Sequence, residues 1–191
     1  AIALTAQSLL RPIISPSVDD YSFALGYEWA VGEWSMDSSV VWGRNEMAFT
    51  IENTLNRSLG PSSKTSFNAG GFDYDQLVFN LSGVRSADVA AFDSPLNIAI
   101  GAEARRESYS IFAGEPDSYR NGGVLLPNGQ PTASGAQVFP GFRPANEVDE
   151  DRTAVGLFVD LEANITEKLL ASAAIRFENY SDFGFNSTYK T

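Results

Sequence analysis

From Thr153 onward apolar and polar side chains alternate. Thr153, Val155, Leu157, Val159, Leu161 and Ala163 fall on one parity; Arg152, Ala154, Gly156, Asp160, Glu162 and Asn164 fall on the other, with Phe158 the intruder in the polar set. Successive side chains of a strand point to opposite faces, so a period of two describes a ribbon that is greasy on one side and wet on the other. After a turn at Thr166, Glu167 and Lys168, the row Leu169, Ala171, Ala173, Ile175 and Phe177 opposes Ser172, Arg176, Glu178, Tyr180 and Asp182. The pattern predicts a long β-hairpin. Each arm keeps its alternation for about 9 to 11 residues, the length a tilted strand needs to cross a bilayer's hydrocarbon core. A long hairpin in a soluble β-sandwich would alternate in the same way.

The same period appears earlier. Tyr21, Phe23, Leu25, Tyr27, Trp29 and Val31 form an apolar row against Ser22, Gly26 and Glu28, and a tight turn at Gly32-Glu33 leads into the row Trp34, Met36, Ser38, Val40 and Trp42. Tyr27, Trp29 and Trp34, bracketing that turn, read either as an aromatic girdle at lipid headgroup level or as ordinary packing. Further strands are expected around Leu77–Leu81 and from Leu96 to about Phe112, where Gly101, Glu103, Arg105 and Glu107 hold the polar parity. Residues 1–20, interrupted by Pro12 and Pro16, are expected to be loop continuing from something upstream.

Between the strands, connections alternate in length: short near Gly32, long over residues 57–71, shorter near Asp93, very long over 113–151, short near Glu167. Antiparallel strands crossing one slab put short turns on one side and long loops on the other, as in outer-membrane barrels. The expected fold is therefore all-β, an antiparallel transmembrane β-barrel segment of about six strands from a larger barrel, with residues 21–191 as its barrel part. On this reading Glu28, Glu103, Arg105, Asp160, Glu162, Arg176 and Glu178 line an aqueous lumen; on a sandwich reading they form a solvent face.

Composition narrows the function. The chain has no histidine and no cysteine. That removes Ser-His-Asp and Cys-His catalysis and thiolate or imidazole metal sites, so no catalytic residue, cofactor or metal is assigned and no enzyme is expected. A net charge of -11 argues against nucleic acid as a partner. The longest apolar runs fall well short of the roughly 18 residues of a membrane helix, a limit that does not touch membrane strands.

Several segments resemble one family: Ser94–Asn97 (SPLN), Gly101–Tyr109 (GAEARRESY), Ala113–Tyr119 (AGEPDSY), Gly135–Arg143 (GAQVFPGFR), Val159–Leu170 (VDLEANITEKLL) and Ile175–Gly184 (IRFENYSDFG). In order and spacing they are similar to the barrel of a TonB-dependent outer-membrane receptor. The resemblance implies a 22-stranded barrel closed by a plug domain, set in the lipid of a Gram-negative outer membrane. It further implies import of a scarce small molecule (an iron-siderophore, cobalamin or a carbohydrate) to the periplasm with energy from TonB. The plug, and with it the TonB contact, is expected to lie outside this chain.

Within that reading the long connections form an extracellular vestibule. Tyr119, Arg120, Phe139, Phe142 and Arg143 are its candidate ligand contacts, because aromatic faces and guanidinium forks suit sugars or anionic chelates. Alternatively these residues only pack the loop onto the rim. The rival function is a secreted β-sandwich or adhesin-like binding module, in which the greasy rows would meet in a closed core.

Overall fold

The computed structural model describes residues 11–191, and among them the fold is one seven-stranded antiparallel sheet in strict sequence order. The strands are β1 (Ile13–Val31), β2 (Trp34–Glu52), β3 (Ser66–Ala87), β4 (Leu96–Ala113), β5 (Val148–Thr166), β6 (Leu169–Tyr180) and β7 (Gly184–Lys190). Among the described residues β1 and β7 each have a single neighbour. Two-residue turns join β1 to β2 and β5 to β6, and Gly32 takes the positive φ of 59° that its turn requires.

Four boundaries depart from the sequence reading, one of them at β5, which begins at Val148, inside the expected 113–151 loop. Residues 13–20 are strand, not loop. Pro16 lies inside this strand. The first ten residues of the expected loop lie outside the described part. β3 begins at Ser66, inside the expected 57–71 loop. The seventh strand occupies the polar, aromatic tail: Gly184, at φ 83°, turns the chain back so that Phe177 faces Ser187 and Ile175 faces Tyr189.

The chain forms two compact units. The first comprises residues 1–21, 44–74 and 109–150, of which 11 onward are described; the second comprises 22–43, 75–108 and 151–191. Among the described residues Ile51, Phe67, Ala69 and Ala136 form a buried hydrophobic cluster, all in the first unit, with Phe49 and Phe139 packed against it.

The second unit has the reverse of a soluble core. The β5–β6 register places Val155 opposite Asn179, Leu157 opposite Phe177 and Val159 opposite Ile175; Gly156 meets Glu178, Phe158 meets Arg176, and Glu162 meets Ser172. Directly opposed residues share a face, so the two apolar rows merge into one surface and the two polar rows into the other. The apolar surface is the exposed one: Val155 and Leu157 are each 56% accessible and Phe177 41%. On the polar surface the Glu178 and Glu107 side chains retain 16% and 11%. A β-sandwich buries its greasy rows face to face, and these are not buried.

Phe158, the one break in the polar row, is explained by its neighbour. A Cβ on Gly101 would stand 2.4 Å from the Phe158 ring, so the ring lies flat in the place of the missing side chain. Gly156 does the same for Arg176, whose guanidinium passes 3.0 Å from the position of an absent Cβ. Gly101→Ala is expected to destabilise the fold by about 1–3 kcal/mol through overpacking. In a denaturant-unfolding double-mutant cycle, Phe158→Ala should recover most of that loss; additive effects would show that the ring and the glycine are not coupled.

Candidate functional site

Two constellations carry chemistry, one in each unit. In the first, the β2–β3 connection (residues 53–65) and the β4–β5 connection (residues 114–147) are joined by backbone contacts and a buried polar core. Asn56 is wholly buried and uses its whole carboxamide. Its Nδ2 donates to the carbonyls of Asp117 and Arg120, both at 2.9 Å, while its Oδ1 accepts from the Ser58 hydroxyl at 2.6 Å and the Ser58 amide at 3.2 Å. One side chain therefore anchors the one-turn helix α1 (Pro116–Tyr119) to the 3-10 turn Arg57–Ser62. Thr54 Oγ1 accepts from the Gln137 amide at 2.9 Å and lies 3.2 Å from the Gln137 carbonyl.

Glycine makes this docking close. A Cβ on Gly114 would lie 2.6 Å from the Ala69 backbone, one on Gly122 2.3 Å from the Ser58 carbonyl, and one on Gly141 2.6 Å from the Ser118 hydroxyl. The 114–147 connection is thus seated main chain to main chain, with one helical turn and one 3-10 turn as its own regular structure. Lys64 and Glu115 close the seam with an ion pair. The hydrogen bond to Glu115 raises the Lys64 pKa above its ordinary 10.5. A raised lysine pKa means the pair's contribution is complete below that ordinary value and is lost as pH rises through the higher one, so the seam holds across neutral pH.

In the second unit, a ladder of paired charges covers the polar surface of β4, β5 and β6. Arg176 bridges Glu103 at 3.2 Å and Glu178 at 2.9 Å. Arg152 pairs with Glu107 at 2.6 Å, and its guanidinium stands over the Tyr180 ring, 5.6 Å from the centroid. Tyr180 in turn accepts from Arg105 at 3.3 Å. Partly desolvated charges of this kind persist only when paired, and here acid and base alternate across three strands.

The expected site residues divide accordingly. Glu103, Arg105, Arg176 and Glu178 come together in the ladder. Asp160 is half-buried on β5, Glu162 is exposed on β5 and Glu28 is exposed on β1, apart from these pairs. Tyr27 and Trp29 stack at 5.7 Å, and Arg85, paired with Glu33, covers the Trp34 ring at 5.5 Å. In the first unit, Phe139 and Phe142 meet edge to face at 5.4 Å and both touch Phe49, so they pack among themselves. Arg120 binds Asp117 at 2.5 Å, Tyr119 is half-buried on α1, and Arg143 is exposed ahead of a 3-10 turn at Pro144–Asn146. The sequence reading missed Asn56, Ser58 and Ser118; their only mark was a polar residue in a glycine-rich loop, which nothing separates from a solvated one.

Comparison with known proteins agrees with this architecture. Residues 8–191 match the family model described as TonB dependent receptor-like, beta-barrel. The chain belongs to that family: it is a part of the β-barrel of a TonB-dependent receptor. No curated protein and no solved structure matches it.

Asn56→Ala is expected to leave several buried groups without partners, each costing about 1–3 kcal/mol. Amide hydrogen exchange between Pro116 and Gly122 should accelerate while exchange in β5 and β6 stays unchanged. Unaltered protection of α1 would show that Asn56 is not its anchor.

Proposed function

We propose that this chain forms part of the wall of an outer-membrane receptor that captures a scarce small molecule outside the cell. The receptor passes it to the periplasm with energy supplied through TonB. Family membership supports the receptor and its outer-membrane setting at the coarse level. The observation that carries the reading is the inverted burial of the second unit, with aliphatic rows outward and charges paired on the reverse. Lipid is the one surrounding in which the first is favourable, and a hydrated bore suits the second.

The outward rows are also bounded. On β4 the apolar row from Leu96 to Ala104 is followed on the same parity by Arg106, bound to Asp151 at 2.7 Å. Towards the turn ends stand Trp34, Arg85 and Glu33. At about 3.3 Å per residue the β4 row is roughly 30 Å of strand, which at a tilt of about 35–45° spans the ~25 Å apolar band of an outer-membrane barrel. A shallow hollow of about 330 Å³ between Met36, Leu81, Gly83, Ile100, Ala102 and Leu157 has the lining that acyl chains prefer. Glu28, Asp160 and Glu162 join the ladder residues in facing the lumen, and Tyr27, Trp29 and Trp34 act as the girdle. The connections of the first unit form the ligand-facing side, where Tyr119, Arg120 and Arg143 offer contact groups and Phe139 and Phe142 support them.

The receptor reading is tested on the protein in its native membrane. It predicts fractionation with the outer membrane, heat-modifiable migration on gels, and ligand uptake that stops when TonB is deleted. Leu157→Arg, at mid-band, should cost about 2–4 kcal/mol of barrel stability and deplete the outer-membrane pool. Ser172→Arg on the opposite face should insert normally. Equal tolerance of both substitutions, or a soluble monomer in plain buffer, would refute it.

A further inference from the structure

Within the second unit, the outward face carries a pair of opposite charges at its β1–β2 turn end. Gly83 on β3 is the pivot: a Cβ there would stand 2.7 Å from Met36 Sδ and 3.2 Å from the Trp34 ring, so both side chains lie across it. Arg85, two residues further along the same face of β3, covers the Trp34 ring at 5.5 Å and holds Glu33 through Nη2 at 3.1 Å. Its Nε is buried and has no hydrogen-bond partner among the described residues, so Glu33 leaves the guanidinium only partly satisfied. The Glu33 side chain is 74% exposed and that of Arg85 31%, which leaves both charges open to a ligand. An exposed ion pair contributes little to stability, so each partner exchanges readily for a charge from outside. On the other side of Gly83 runs the hollow of about 330 Å³ over Met36, Leu81, Ile100, Ala102 and Leu157. An apolar trough therefore ends at a cation and an anion held beside an indole.

We propose that this rim and trough bind one phospholipid whose headgroup carries both a phosphate and a primary ammonium, the phosphate on Arg85, the ammonium on Glu33 and an acyl chain along the trough. The site rests on the receptor reading, which supplies the lipid around this face. Short turns of an outer-membrane barrel lie on the periplasmic side, so the pair meets the headgroups of the periplasmic leaflet, and Trp34 stands at the depth where indoles are favoured. Charge complementarity selects the headgroup. The guanidinium fork matches phosphate oxygens, and a primary ammonium brings three donors to the Glu33 carboxylate. A quaternary ammonium brings none, and a headgroup that is only anionic sets a second negative charge against Glu33. A polyanionic glycolipid is disfavoured for the same reason. Head and tail belong to one molecule, so engaging either raises the effective concentration of the other and holds this lipid longer than its neighbours. Ile100 and Leu157 remain 39% and 56% exposed, which keeps the trough open to an acyl chain.

The test uses the receptor extracted from outer membranes in detergent and stripped of lipid. Phosphatidylethanolamine, phosphatidylglycerol and phosphatidylcholine with identical acyl chains are offered in turn, and native mass spectrometry measures how much of each is retained. Phosphatidylethanolamine should be held in preference to the other two. Arg85→Gln should weaken its retention about tenfold, the order of one charge-assisted hydrogen bond, and Arg85→Lys should recover part of the loss. Glu33→Gln should abolish the preference over phosphatidylglycerol, a change of selectivity that a merely structural role for Glu33 would not produce. Ala102→Phe, which fills the trough, should lower retention of all three lipids, and Lys168→Gln at the β5–β6 turn should alter none. Each variant is first checked for heat-modifiable migration; Glu33 is an exposed turn residue, so Glu33→Gln decides the matter if Arg85→Gln fails to fold. Equal retention of the three lipids by the unsubstituted receptor, preference for phosphatidylglycerol or lipopolysaccharide, or a headgroup preference unmoved by Glu33→Gln overturns the proposal. Outer-membrane fractionation and TonB-dependent uptake are measured separately, so a receptor that passes both and shows no headgroup preference counts against this site alone.

Discussion

A β-strand has only two faces, and in this chain they are adapted to different surroundings. The backbone hydrogen bonds of the sheet satisfy the main chain whatever lies outside it, leaving the side chains to decide what each face meets. Aliphatic residues occupy one face and stay accessible; Glu103, Glu107, Arg152, Arg176 and Glu178 occupy the other and neutralise one another. Water would drive the first set together, and hydrocarbon would expel the second. The arrangement is stable only where one face meets a nonpolar medium and the other an aqueous or protein-filled space, and a TonB-dependent receptor barrel supplies both.

Glycine adapts that wall to its contents. On the polar side of the second unit, Gly101 and Gly156 are not needed for unusual torsions; they are needed because Phe158 and Arg176 lie across them. Large side chains are thereby held flush with the sheet instead of projecting from it. In the first unit glycines serve a different purpose, letting three stretches of irregular chain approach backbone to backbone and exchange the hydrogen bonds that a regular ladder would otherwise provide. Asn56 completes this by supplying two donors and two accepting contacts at one buried point.

The first unit consequently resembles a small soluble domain more than the second does. Ile51, Phe67, Ala69 and Ala136 are buried together, and the Phe49, Phe139 and Phe142 rings pack against one another.

The sequence by itself determined the strands that repeat every two residues, the identity of the greasy and wet rows, the β5–β6 hairpin and the family, because each rests on local order or on motifs spaced along the chain. It did not determine β7, whose Phe185 and Tyr189 lie among polar residues without a sustained period, or the start of β1, where Pro16 argues for loop. Nor did it determine which face is exposed, since alternation is identical in a sandwich and a barrel wall. Only the tertiary structure decided that. It also decided the company kept by Asn56 and the packing of Phe139 and Phe142. The hydrogen bonds of Asn56 and Thr54 join residues 61 to 83 positions apart in the chain, with no repeating spacing to announce them.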